Sequence, residues 1–327
     1  VSPPLKLWVA GARPRTLPAA VVPVAVGTAA GYLSSGRFVI STPQTSAACH
    51  FAVCSNFDRQ LSWLNALLAL VVALGIQIGT NYVNDYADGV RGTDEHRVGP
   101  VRLVAGGIAT VREVKLAALI SFGVAGLAGL ALAARVTWWL VPLGLLCGLA
   151  GWAYTGGPKP YGYLGFGELF VFVFFGLVAT AGSAYVQHAP FVVSFGGHLF
   201  TYNYAWGFVL SAGVPVGLLA AALLEANNLR DIGTDTESGK KTLAVRVGRR
   251  NAGLLYCFTL VAAALSIGIL HNYRAWSLIA LVAAPLAIGP VRLALGDRSG
   301  KALLPMLGET ARLQIVAGAL LTVGLLI

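Results

Sequence analysis

The chain has 327 residues, 57% of them apolar and only 11% charged, with a mean hydropathy of +0.74. Ordinary soluble domains carry roughly 25% charged residues, so a soluble globule, a disordered chain and a disulfide-dense secreted module are all excluded. The 23 Lys and Arg against 13 Asp and Glu, a net +10, fit basic loops at an anionic lipid face rather than nucleic-acid binding.

A crossing helix needs about 20 apolar residues. Such stretches begin near Thr16, Ser62, Val114, Thr137, Phe166, Ala205, Ala252, Ala275 and Glu309. They predict an all-α polytopic bundle of nine transmembrane helices in a single domain spanning 1–327, because a lipid-exposed backbone must satisfy its own hydrogen bonds. The first stretch follows Arg13 and Arg15 without an A-x-A cleavage signal and reads as a retained helix. Residues 34–61 form an extracytoplasmic insertion between helices 1 and 2, and its Cys49 and Cys54 are spaced so that a disulfide is open to them. Gly123, Gly126 and Gly129 fall inside the third stretch and are expected where helices pack closely.

With the N-terminus in the cytoplasm, only Arg37, Arg59, Arg135 and Arg274 of the 23 basic residues fall outside. The positive-inside bias therefore orients the chain as a multi-pass protein of the cell membrane. Of the 13 acidic residues only Asp58 falls outside, which that bias does not require. Both signs of charge gathered on one face mark a site there.

Two acidic segments carry that site. The second span runs into Asn81, Asn84, Asp85, Asp88 and Arg91, and the sixth into Asn227, Asn228, Arg230, Asp231 and Asp235. On continuing helices these residues are i,i+3 and i,i+4 neighbours, so each segment offers a face of carboxylate and amide oxygens. Crowded carboxylates at a membrane edge are costly, and a hard cation such as Mg²⁺ relieves them, binding carboxylate together with phosphate oxygens. Two facing clusters would hold Mg²⁺ around a diphosphate, with Arg91, Arg102, Lys159, Arg230 and Lys240 balancing the remaining charge. Taken singly, either segment also reads as a solvated helix end with Asp–Arg pairs.

Asn84-Asp85-x-x-Asp88, the later Asp94 and Asn228-x-x-Asp231-x-x-x-Asp235 resemble the UbiA superfamily of intramembrane aromatic prenyltransferases. The stretches Ala12–Leu17, Asn84–Gly99 and Asn227–Val247 are most similar to the branch acting on 1,4-dihydroxy-2-naphthoate in menaquinone biosynthesis, and Tyr154…Lys159 matches a further superfamily element. That superfamily also has nine helices. The superfamily pattern places an Asp four residues after Asp88, where this chain has Gly92 and the next Asp is Asp94.

The resemblance implies transfer of a polyprenyl group from polyprenyl diphosphate to the naphthoate ring, with loss of carbon dioxide and diphosphate. It implies Mg²⁺ held by Asn84, Asp85, Asp88, Asn228, Asp231 and Asp235, with Asn81 and Asn227 as helpers. Diphosphate is expected at Lys159, Arg230 and Lys240, with Arg91 and Asp94 nearby and Tyr154 near the reacting centre. Arg13 and Arg15 face either the acceptor carboxylate or a phosphate, or serve only as positive-inside anchors. Phe166, Phe170, Phe172, Phe174 and Phe175 would line a prenyl groove, although lipid-facing rings are the default expectation. Other acceptors such as 4-hydroxybenzoate, and from a different class an ion-coupled transporter, stay open. A transporter places its carboxylates near the midplane on broken helices, whereas these lie at cytoplasmic helix ends. No zinc, haem or nucleotide spacing occurs in the sequence.

Overall fold

The computed structural model describes residues 3–34, 61–92, 102–157, 160–187, 192–195, 198–201 and 206–327. The helices in chain order are α1 (Leu5–Gly11), α2 (Pro18–Ser34), α3 (Trp63–Arg91), α4 (Val111–Arg135) and α5 (Leu140–Ala153). Then come α6 (Gly167–Val171), a π-helical stretch over Phe172–Val178 and α7 (Ala179–Tyr185), together one continuous helix. They are followed by α8 (Trp206–Glu237), α9 (Leu243–Leu270), a 3₁₀ segment over Ala275–Ala287 running into α10 (Ile288–Leu295), and α11 (Leu304–Leu326).

Among the described residues seven helices are long and apolar enough to cross a membrane, or eight when the bent pair of α1 and α2 counts as one span. The stretch beginning near Thr137 forms α5, only 14 residues long. One departure from an all-α chain is a hairpin, β1 (Val192–Phe195) against β2 (His198–Thr201), antiparallel with Val192 opposite Thr201 and Phe195 opposite His198.

Local chemistry sets the helix ends. Ser62 caps α3 through Asn65 N–H, and Thr110 with Glu113 forms a reciprocal capping box at α4. The helix expected from Ala252 begins instead at Leu243, capped by Thr242 and broken at Gly248. α3 stops at Gly92, whose φ of 69° is left-handed. Glycine adopts that conformation without a Cβ clash, so the position where the superfamily pattern has an Asp ends the helix in this chain.

α8 is the most deeply buried of the long helices. It packs along α9 and also touches α2, α7, α11 and the π-helical stretch. α3 packs along α4 in a corresponding way, so each motif helix is paired with the helix that follows it. Of the third stretch's glycines only Gly129 meets another helix, where a Cβ would come 3.9 Å from Val72. A Cβ on Gly123 or Gly126 would meet open space, whereas Gly75 of α3 lies against Ala125 and Gly176 against Gly217. Leu127, Leu145, Leu149 and Phe258 are largely exposed, as lipid-facing side chains are. Trp63, Trp138, Trp139 and Trp276 are also largely exposed and gather at the end of the bundle opposite the motifs, like an interfacial aromatic belt. At that end Asn65 ties α3 to its neighbours, donating to Val186 O at 2.7 Å and accepting from Arg135 Nε at 2.8 Å.

Candidate active site

Both acidic segments lie on continuing helices, the first on α3 and the second on α8. They meet in a small cleft of about 40 Å³ lined by Asn84, Asp88, Tyr154, Tyr163, Asn227, Asn228, Asp231, Asp235 and Lys240. A much larger cavity of about 820 Å³ adjoins it. Asn84, Tyr154 and Asn227 line both spaces. The polar end of the large cavity carries Arg13, Arg15, Asn81, Arg102 and Arg230, and its walls include Ile76, Leu143, Val178 and Leu224.

The charges are arranged in compensating pairs. Asp88 is fully buried, accepts from the Tyr163 hydroxyl and pairs with Lys240 Nζ at 3.1 Å and Arg102 Nη2 at 3.8 Å. Lys240 and Arg91 also lie over the Tyr163 ring, at 4.8 and 5.3 Å from its centroid. Arg230 forks onto both oxygens of Asp231, each at 2.7 Å, and donates to Asn227 Oδ1 at 2.7 Å. Its remaining nitrogen, Nη1, is buried without a hydrogen-bond partner among the described residues. A buried guanidinium N–H in that state suits an anion.

Other expected site residues are committed to holding backbone. Asp85 is not among the cleft's lining residues. Its Oδ2 accepts from Leu103 N–H at 2.9 Å and its Oδ1 from Val104 N–H at 3.0 Å, anchoring the loop before α4. Asn81 donates to Ala12 O at 2.8 Å and Thr16 Oγ1 at 3.1 Å, holding the 57° bend between α1 and α2. At that bend Arg13 is the one non-glycine residue with positive φ among the described residues, 55°. Strained backbone of this kind collects at functional sites, and Arg13 Nη2 reaches Asn84 Oδ1 at 2.8 Å. Arg91 donates to Thr155 O and Gly157 O, clamping the turn after α5. Arg15 is exposed at the cavity mouth. Lys159 and Asp94 lie outside the described residues, as do Cys49, Cys54 and most of the 34–61 insertion.

A file of rings runs from the cleft into the cavity. Tyr154 meets Tyr161 edge-on at 5.6 Å, Tyr161 stacks on Phe170 at 4.0 Å and Phe170 on Phe174 at 5.9 Å. Phe170, Phe174 and Phe175 line the cavity, against the lipid-facing default, while Phe166 is exposed. The π-helical turn over Phe172–Val178 contributes to this wall, and such turns recur at functional sites. Burial pushes the Tyr154 phenol well above the ordinary tyrosine range, with Glu168, Tyr161, Asp235 and Asp88 adding to the effect. Tyr163 is raised by burial and then by Asp88, with Arg91 pulling the other way. Both therefore act as neutral hydroxyl groups.

The donor set fits a hard cation, because the lining carboxylates and amides offer oxygen and the cleft contains neither His nor Cys. Among the described residues no three acidic, His or Cys side chains converge on one metal position. Lys240, Arg102 and Arg230 occupy the carboxylates instead. Two participants were missed by the sequence reading. Tyr163 carries no signal, since nothing in its spacing links it to Asp88. Glu168, which accepts from Asn228 Nδ2 at 2.9 Å, was detectable as a carboxylate inside an apolar run.

The sequence profile of the UbiA prenyltransferase family matches residues 45–307. The chain is 44% identical over 321 residues to the 1,4-dihydroxy-2-naphthoate octaprenyltransferase of Mycobacterium tuberculosis, covering 96% of each. It is 34% identical over 325 residues to the Escherichia coli protein of the same name, covering 96% of this chain and 92% of that one. Among solved structures, a UbiA homolog from Aeropyrum pernix aligns with TM-score 0.61 and 15% identity over 94% of this chain and 96% of that one. A homolog from Archaeoglobus fulgidus bound to DMAPP and Mg²⁺ aligns with TM-score 0.54 and 17% identity, covering 97% and 99%. At such identities these two structures establish the shared fold.

Proposed function

The chain belongs to the UbiA prenyltransferase family, and from that premise we propose that it transfers a polyprenyl group from polyprenyl diphosphate to 1,4-dihydroxy-2-naphthoate. The names of its relatives give that acceptor and a prenyl transfer to it, and in this reading the products are diphosphate, carbon dioxide and demethylmenaquinol, a step of menaquinone biosynthesis. The observation that carries the reading is the junction at Asn84, Tyr154 and Asn227, where a charged, oxygen-lined cleft meets a long apolar cavity. A polyprenyl diphosphate has that same polarity, charged at one end and apolar along its length.

Breaking the allylic C–O bond leaves negative charge on the departing diphosphate. Arg230, with its unused Nη1, and Lys240 and Arg102 are placed to take that charge up, shifting from carboxylate to phosphate oxygens. Asn84, Asp88, Asn228, Asp231 and Asp235 would hold Mg²⁺, which when bound supplies further positive charge to the leaving group. Asp85 positions the loop bearing Arg102 and Leu103 rather than touching substrate. The faces of Tyr161, Phe170 and Phe174 suit both the prenyl chain and an allylic cation, and the aliphatic walls keep water from it. The electron-rich acceptor ring attacks that cation, forming the new C–C bond as the diphosphate departs. Arg13 and Arg15 at the cavity mouth suit the acceptor carboxylate.

The same reading orders the chain in the bilayer. α4 ends at the tryptophan belt and Tyr154, directly after α5, lies at the cleft, so α5 carries the chain from one end to the other. Its 14 residues span about 21 Å and supply the ninth crossing. The loops at the motif end form a cap facing the cytoplasm, where the basic residues concentrate. Purified protein given one labelled prenyl diphosphate and a choice of acceptors should prenylate dihydroxynaphthoate, lose activity with EDTA and regain it with Mg²⁺. Prenylation of 4-hydroxybenzoate in its place, or ion transport without diphosphate release, would sink the assignment.

A further inference from the structure

Asn228 lies one turn before Asp231 on α8, is 7% exposed and lines the acidic cleft. Its side-chain amide has two ends with opposite roles, since the oxygen accepts and the NH₂ only donates. A hard cation can use only the oxygen. Which end faces the cleft therefore decides whether Asn228 helps or opposes cation binding.

Glu168 determines that choice. Its Oε1 accepts from Asn228 Nδ2 at 2.9 Å, a buried contact between residues 60 apart in sequence. A carboxylate acceptor draws the NH₂ end toward itself and leaves the Asn228 oxygen directed away. The backbone bearing Glu168 is closely seated, because a Cβ on the preceding Gly167 would come 3.1 Å from Leu224 Cδ2 and 3.4 Å from the Tyr154 ring. Glu168 is itself 9% exposed, and its Oε2 is buried without a hydrogen-bond partner among the described residues. Glu168 stands in the first turn of α6, where the helix N-terminus favours negative charge, and a carboxylate kept buried there with one side-chain partner among the described residues points to function.

We propose that Glu168 is a positioning residue that orients the Asn228 amide so that its oxygen is presented to the cation in the cleft. The inference rests on the metal–diphosphate reading of that cleft. It assigns Glu168 no contact with substrate.

The test uses full-length protein in detergent and reads Mg²⁺-dependent thermal stabilisation in the presence of inorganic diphosphate, alongside prenyl transfer. Removing an outer hydrogen-bond partner of a metal ligand typically costs 10–100-fold in affinity. Glu168→Met, which keeps volume but no acceptor, is expected to raise the Mg²⁺ midpoint at least about tenfold. Glu168→Gln can still offer an oxygen to the Asn228 NH₂ and should stay within about threefold of wild type. Asn228→Ala should match or exceed the Glu168→Met effect. A structural role alone would lower Tm without moving the midpoint. An unchanged midpoint in Glu168→Met or in Asn228→Ala overturns the inference, provided the wild type responds to Mg²⁺. A wild type that shows no response removes the metal reading itself. If Glu168→Met is too unstable to purify, Glu168→Gln and Asn228→Ala decide between them. Equal impairment of those two would mean that charge rather than orientation matters and would refute the proposal.

Discussion

The ends of α3 and α8 carry nearly the same string of Asn and Asp, yet the fold uses them differently. On α3 the labour is divided: Asn81 holds the bend of α1 and α2, Asp85 holds the loop before α4, and Asn84 and Asp88 face the cleft. On α8, Asn227, Asn228, Asp231 and Asp235 all line the cleft, and Arg230 from the same helix neutralises Asp231. The reason is the surroundings of each helix. The α3 end borders connecting segments whose backbone N–H and C=O groups need partners. On the α8 end the buried side chains of Asn228, Asp231 and Asp235 line the cleft, while Gly233, Thr236 and Glu237 on the same turns are exposed. Similar motifs thus yield one half-structural end and one wholly site-facing end.

The sharpest way to break this comparison is to neutralise one carboxylate on each side. Asp88→Asn and Asp231→Asn should each lower prenyl transfer at least about 100-fold, read as release of labelled diphosphate. Near-normal turnover in both would remove them from the site. Asp85→Ala should behave differently, costing about 2 kcal/mol in stability because two backbone N–H groups lose their acceptor, with turnover falling only about tenfold through the displaced loop. The checking measurement is Tm against activity across the three variants. An Asp85→Ala protein that is inactive at unchanged Tm would restore Asp85 to the cation ligands. Gly162→Ala should have the smallest effect. A Cβ there would come 2.7 Å from Tyr154 O and 2.8 Å from its ring, so Tyr154 has to shift at a cost of about 1–3 kcal/mol. Transfer slowed only a few-fold, with Mg²⁺ dependence unchanged, would place Tyr154 beside the reacting carbon rather than the metal.

Much of this was legible before folding. Span positions followed from hydropathy, and the helices that carry Asn81–Asp88 and Asn227–Asp235 continue the apolar runs before them, passing through Gly89 and Gly233 and stopping near the left-handed Gly92 and Gly239. Less legible was how each polar group is spent. Arg91 reads from its spacing as a phosphate ligand, and the fold makes it a clamp on Thr155 and Gly157. The rings at Phe170, in α6, and Phe174, in the π-helical stretch, read as lipid-facing, and both line the cavity.

By itself, the sequence determined that the chain carries repeated apolar stretches long enough to cross a membrane, and that its Asn and Asp side chains gather with basic ones in two segments. Those properties depend on composition and on neighbours within one or two helical turns. Only the tertiary structure decided which oxygen points where, because the deciding partners come from distant segments: Arg13 for Asn84, 71 residues away, and Glu168 for Asn228, 60 away. A side chain's intrinsic chemistry is local, but the hydrogen bonds that orient it are made by whatever the fold packs against it.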